Sequence, residues 1–178
     1  AYWNGAGQCA GEYVFRKTLQ YPPIFGVGQF VTVVKNEYVC RLGRKLMSSI
    51  GYRGAFSATE FKYDARDGRY KLIDINTRTP MQSALARRAG CDLFEMMWRD
   101  KLGLPPGPPG RIRYGTTWIY LKNGIMRHRG FPRHRLKLRR YAGLLLSRPV
   151  FGLLSLDDPR PFLVDIAPLL KRRLQSTR

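Results

Sequence analysis

Two short segments of alternating character, residues 55–62 and 69–76, limit the folds open to this sequence more than any other part of it. Apolar and polar side chains take turns along each, the period of a half-buried strand. Asp64, Asp67 and Gly68 stand between them and favour a tight reversal. The pair predicts an antiparallel hairpin. Alternate side chains of a strand share a face, so Asp74, Asn76 and Arg78 are expected to point the same way. With Glu60 opposite Asp74, two carboxylates and an amide oxygen would converge beside a guanidinium. Hard oxygen donors of this kind suit a magnesium ion that bridges phosphates. An arginine next to them suits a carboxylate or a developing phosphoryl charge. The competing reading is a solvated outer face, because a sheet with one wet face needs no metal.

The flanking sequence gives further elements. Asn4-Gly5 reads as a turn between Tyr2-Trp3 and a strand near Tyr13-Val14-Phe15. Residues 29–34 are strongly β-forming. Val39, Leu42, Leu46 and Ile50 fall on one helical face, with Asn36 as a cap at the start and Gly51 at the end. A helix is expected over Gln82–Ala89, its N-terminus just past Arg78 and able to help hold an anion. Asp92 and Glu95 form a capping pattern for a helix running to Leu102, with Met96, Met97 and Trp98 in the core. The Pro/Gly run 104–110 reads as a stiff spacer. After it, Tyr114–Leu121, Asn123-Gly124 and Ile125–Arg129 read as a second hairpin. Phe162, Ile166, Leu169, Leu170 and Leu174 suggest a final helical segment divided or kinked at Pro168. The division is therefore 1–103, a linker at 104–110, and a basic extension over 111–178.

The chain carries 32 Lys+Arg against 12 Asp+Glu, a net charge of +20. No acidic residue lies between Asp100 and Asp157. Such a field attracts polyanions: nucleic acid, ATP, acidic lipid or an acidic partner. Cys9, Cys40 and Cys91 are odd in number and widely spaced, which argues against a disulfide framework and for an intracellular, cytoplasmic setting. No apolar run is long enough to span a bilayer.

The stretch from Lys17 to about Gly103 resembles the C-terminal half of an ATP-grasp domain. The carrying residues are Tyr21-Pro22-Pro23, Gly51-Tyr52-Arg53-Gly54, Glu60-Phe61-Lys62, Asp74-Ile75-Asn76-Thr77-Arg78 and Ala89-Gly90-Cys91-Asp92-Leu93. The likeness is to the carboxylate–amine ligase branch, which includes relatives of carbamoyl-phosphate synthase and biotin carboxylase. It implies an α+β fold, the C-terminal subdomain of the grasp, mainly an antiparallel sheet flanked by helices. It implies ATP and magnesium, with Glu60, Asp74 and Asn76 on the metal, and Lys62, Glu60 and Asn76 at the nucleotide. It implies Arg78 as the catalytic group facing the acceptor carboxylate or acyl-phosphate. The activity implied is an ADP-forming ligase joining a small carboxylate to an amine. The chain would be the C-terminal catalytic part of a longer enzyme whose N-terminal grasp region is its partner. Departures are Asp74 where glutamate is usual, Leu19 where arginine is usual, and Phe25-Gly26 where two glycines are usual.

Two rival functions stand beside this one. A basic, non-enzymatic module could bind nucleic acid or an anionic membrane, with Tyr114, Trp118, Tyr120 and Phe131 near the arginines. A remnant could keep the fold without ATP chemistry.

Overall fold

The computed structural model describes residues 1–24, 26–108, 110–130 and 138–175. Phe25, Pro109, Phe131, Arg133, His134, Arg135 and Lys137 lie outside the described residues. The chain divides into two compact units, residues 1–16 with 33–116, and residues 17–32 with 117–178.

The first unit begins with β1 (Tyr2–Trp3), which pairs antiparallel with both β2 (Cys9–Gly11) and β5 (Ala55–Phe56). The Asn4-Gly5 turn forms, but Trp3 returns against Cys9 rather than against the strand near Tyr13. Local sequence could not reveal the second partner, which lies over 50 residues away along the chain. Helix α1 (Glu37–Ser49) starts where Asn36 accepts a hydrogen bond from Val39 N and stops before Gly51, whose φ of 65° suits glycine. Helix α2 (Ser83–Arg88) is followed by α3 (Leu93–Lys101), whose cap Asp92 accepts from Glu95 N. Tyr2, Ala86, Cys91 and Leu93 form the core of this unit, with Met96 and Met97 packed on it. Trp98 departs from expectation: it is 63% exposed. After α3, Gly110 comes back against the α2–α3 turn. A side chain on Gly110 would collide with the Gly90 carbonyl oxygen, so only glycine permits this approach.

The second unit holds a sheet in the order β3 (Val14–Tyr21), β4 (Val27–Val34), β8 (Thr117–Ile119) and β9 (Val150–Phe151), with strand ends running on into residues of the first. Val31 sits opposite Trp118, and β9 joins β8 in parallel. Leu19, Phe30 and Ile119 form its core, against Leu121, Leu144 and Phe151. Leu19, at a position where its family resemblance suggests arginine, is thus buried among apolar side chains.

The expected hairpin around Asn123-Gly124 is instead helix α4 (Leu121–Gly130). Gly124 is required there for closeness rather than for a turn. A β-carbon would lie 2.8 Å from the Tyr141 hydroxyl and 3.0 Å from Gln29 Nε2. Helix α5 (Leu138–Leu146) follows, and α6 (Arg160–Gln175) continues through Pro168 rather than dividing at it. Asp165 anchors α6, accepting 2.9 Å from the Tyr120 hydroxyl and 2.7 Å from Lys122 Nζ.

These contacts make a stability prediction. Asp165→Ala leaves a half-buried ammonium and phenol without their acceptor and should cost about 1–3 kcal/mol in urea unfolding. Burial, then Asp165, pushes the Tyr120 phenol up to about 12. Burial, then Asp100, does the same for Tyr2, also to about 12. The folded state therefore keeps protons that the unfolded chain releases from about pH 10. This stabilisation is complete below pH 10 and should drain away between about pH 10 and 12, with a shallower loss in Asp165→Asn.

Candidate functional site

The candidate residues sit on a two-stranded sheet of β6 (Ala58–Asp64) and β7 (Arg69–Asn76). Its register places Ala58 opposite Asn76, Thr59 opposite Ile75 and Glu60 opposite Asp74. The two carboxylates are cross-strand partners, the arrangement expected from the sequence. Beyond them the register shifts, and Phe61 faces Leu72, which leaves Ile73 as an extra residue in β7.

This bulge sorts the two faces. Thr59 Oγ1 lies 3.2 Å from where a β-carbon of Gly43 would stand, so the odd-numbered side of β6 faces α1. Tyr63 and Tyr70 pair on that side with ring centres 5.2 Å apart, and the Tyr70 hydroxyl accepts from Asn36 Nδ2 at 2.9 Å. Strict alternation along β7 would put Tyr70 on the same side as Asp74. The extra residue at Ile73 lets Tyr70 face α1 while Asp74 and Asn76 face away beside Glu60. The sequence carried one signal of it: Leu72-Ile73 is an apolar pair in an otherwise alternating strand.

Both ends of the hairpin are tied. At the turn, Gly68 N donates to Asp64 O at 2.9 Å, with Gly68 at φ 68°. Arg66 holds the Asp64 carboxylate at 2.7 Å and keeps it below the usual carboxylate range. Lys71 pairs with Asp67 at 2.6 Å. These exposed pairs set the turn more than they stabilise it. At the base, Trp3 Nε1 donates to Ser57 Oγ at 2.9 Å in the interior.

On the outer face, Glu60 and Asn76 are half-buried and Asp74 is exposed. Asn76 Nδ2 donates to Asp74 Oδ2 at 2.5 Å, which leaves Asn76 Oδ1 as an acceptor. Two carboxylates and one amide oxygen are a hard-oxygen donor set that fits magnesium, with water or phosphate oxygens completing its shell. No cluster of three or more His, Cys, Asp or Glu positioned for a metal occurs among the described residues. Lys62 is exposed two residues beyond Glu60 and pairs in register with Lys71.

Arg78 does not follow the strand alternation. β7 ends at Asn76, and Arg78 lies in the bend before α2, exposed, its Nη1 donating to Thr79 O at 3.4 Å. The expected anion site at the start of α2 is not formed. The helix has only six residues, Ser83 N already donates to Pro80 O, and Leu85 N to Gln82 O. Beside this bend Tyr13, Phe56, Thr79, Pro80, Ser83 and Phe94 line a small apolar crevice with room for about one water.

The cysteines offer no competing nucleophile. Burial pushes the Cys9 thiol up to about 12 and those of Cys40 and Cys91 to about 11. All three are therefore protonated at neutral pH.

Residues 28–105 match the family described as the carbamoyl-phosphate synthase L chain, ATP binding domain. The match contains β6, β7 and every candidate site residue. This segment is similar to an ATP-grasp, carboxylate–amine ligase-like domain. A D-aspartate ligase of Enterococcus faecium (strain Aus0004) is 30% identical over 101 residues, which is 56% of this chain and 23% of the relative. The chain thus spans about a quarter of the length of the curated relative it matches. No solved structure matches. The mixed architecture of antiparallel strands and helices is compatible with an ATP-grasp domain.

Ser57 supplies the test of how the hairpin is held. Ser57→Ala removes the acceptor of the buried Trp3 indole N–H and should lower unfolding free energy by about 1–3 kcal/mol. Lys71→Ala at the exposed turn should change it by less than about 1 kcal/mol.

Proposed function

We propose that the protein carrying this chain is an ATP- and magnesium-dependent, ADP-forming ligase that joins a carboxylate to an amine through an acyl-phosphate. In this reading residues 1–103 supply the C-terminal catalytic part of the grasp, residues 104–110 are a linker and residues 111–178 a basic extension. The N-terminal grasp region completes the nucleotide cleft. The carrying observation is the register of β6 and β7: it pairs Glu60 with Asp74 and sets Asn76 beside them, inside the segment that matches the ATP-binding family.

Each residue has a role that its chemistry permits. Glu60, Asp74 and Asn76 would hold magnesium, and Glu60 and Asn76 would also border the nucleotide. When bound, the ion would neutralise phosphate charge. Lys62, on the same strand as Glu60, would attract the phosphate chain. Arg78 would hold the acceptor carboxylate in line with the γ-phosphorus and stabilise the charge that builds on the transferred group. The carboxylate oxygen attacks the γ-phosphorus, and the bond to the ADP oxygen breaks. The amine then attacks the acyl carbon, the C–N bond forms, inorganic phosphate leaves, and the amine releases a proton. In this reading the protein works in the cytoplasm, where its nucleotide substrate is available.

The full-length protein should consume ATP only when a suitable carboxylate and amine are both supplied. Glu60→Gln and Asn76→Ala should each lower kcat by about 10²-fold or more without changing the unfolding midpoint. Arg78→Lys keeps the charge but loses the bidentate fork, and should raise KM for the carboxylate more than KM for ATP. Normal turnover in the Glu60 and Asn76 variants would remove the assignment.

A further inference from the structure

The second unit turns apolar surface outward on two consecutive helices. On α5, Tyr141 and Leu144 face inward: the Tyr141 hydroxyl accepts from Gln29 Nε2 at 2.9 Å, and Leu144 packs against the core of Leu19, Phe30 and Ile119. The outer side carries Ala142, Leu145 and Leu146, all exposed, with Leu146 at 81%. On α6 Phe162, Ile166 and Leu169 are half-buried together with Asp165, which Tyr120 and Lys122 hold. The outer side there carries Pro161, Leu163, Val164 and Pro168, all exposed, with Val164 at 72%. Leu153 and Leu156, in the segment that joins the two helices, are also exposed, Leu156 at 95%. The outer sides of both helices thus carry aliphatic residues where a water-facing helix carries polar ones.

Positive charge is interspersed with these aliphatic residues along the chain. Arg139, Arg148 and Arg160 are exposed at the helix ends, and Lys171-Arg172-Arg173 continue the sequence of α6. Asp157 and Asp158 are the only acids in the sequence from Arg139 to Val164. Exposed aliphatic residues rimmed by arginine are the composition of a helix that lies in a lipid–water interface, where leucine enters the acyl boundary and arginine meets anionic headgroups. No helix among the described residues is long and apolar enough to cross a membrane, which leaves lying on the surface as the available mode.

The same charge could attract nucleic acid, but the side chains decide against it. Single strands bind on exposed aromatic faces. Among the described residues of this unit every aromatic is buried or half-buried, Trp118 completely so, and the exposed apolar set is aliphatic. We propose that the outer face of α5, α6 and the loop between them docks the protein peripherally on an anionic lipid bilayer. This is independent of the ligase reading and survives its failure.

The test is flotation of the purified full chain with phosphatidylcholine vesicles, with and without phosphatidylglycerol, and with the triple variant Leu146→Ser/Leu156→Ser/Val164→Ser. These side chains are exposed, and an unchanged unfolding midpoint verifies the fold of the variant. The wild type should float with the anionic vesicles and remain behind with neutral ones. The triple variant should bind anionic vesicles about tenfold or more weakly. Arg139→Gln/Arg160→Gln should also weaken binding to anionic vesicles, by less at raised salt, where the attraction is already screened. Three results would overturn the proposal: no flotation of the wild type with anionic vesicles, undiminished flotation of the triple variant, or a wild-type dimer that the triple variant converts to monomer, which would assign the face to a second copy. Displacement from vesicles by single-stranded DNA, with DNA affinity unchanged in the triple variant, would likewise overturn it in favour of nucleic acid.

Discussion

One extra residue in a strand governs the chemistry this chain presents. Because side chains alternate along a strand, a shift of a single position exchanges the two faces. Ile73 makes that shift within β7, between Leu72 and Asp74. On one side of it Tyr70 packs beside Tyr63 and bonds Asn36 at the start of α1. On the other side Asp74 meets Glu60 and Asn76 on the opposite face. Without the bulge, packing against α1 and convergence of the two carboxylates would compete for the same register. The bond between Trp3 and Ser57 and the Asp64–Gly68 turn then fix where that register begins and ends.

Much of this was legible because local chemistry and tertiary packing agree. Asn36 caps α1 and Asp92 caps α3, at the residues that their side chains indicate. The hairpin follows from its period of two and its Asp/Gly turn, but the turn register, with Asp64 opposite Arg69, would by itself set Glu60 against Ile73, and it is the bulge that brings Asp74 there. What was illegible depended on distant contacts. Asn123-Gly124 is a turn signal by itself, yet Gly124 lies inside α4, where Gln29 and Tyr141 approach the space a β-carbon would take. Tyr2-Trp3 gains a partner at Ala55-Phe56 that no local pattern announces. Arg78 was extrapolated along a strand that stops two residues earlier. Its position is set by the bend into α2, so any role at the site depends on that loop rather than on sheet geometry.

The charge of the chain has different consequences in its two units. In the first, cations are tied to nearby acids around the hairpin turn, as Arg66 is to Asp64 and Lys71 to Asp67. In the second, the acid Asp165 is spent inside on Tyr120 and Lys122, which leaves arginine and leucine to face outward. If both proposals hold, a ligation reaction would be brought to a lipid interface.

The central claim is that the outer face of the β6–β7 hairpin holds a divalent ion on ATP. The direct measurement is paramagnetic broadening of backbone amide resonances in the full-length protein, with manganese in place of magnesium, before and after ATP is added. The account predicts that residues 58–62 and 74–76 broaden first, that ATP strengthens the effect, and that Glu60→Gln abolishes it. Broadening centred on the Asp64–Asp67 turn, indifferent to ATP and unaltered by Glu60→Gln, would contradict it.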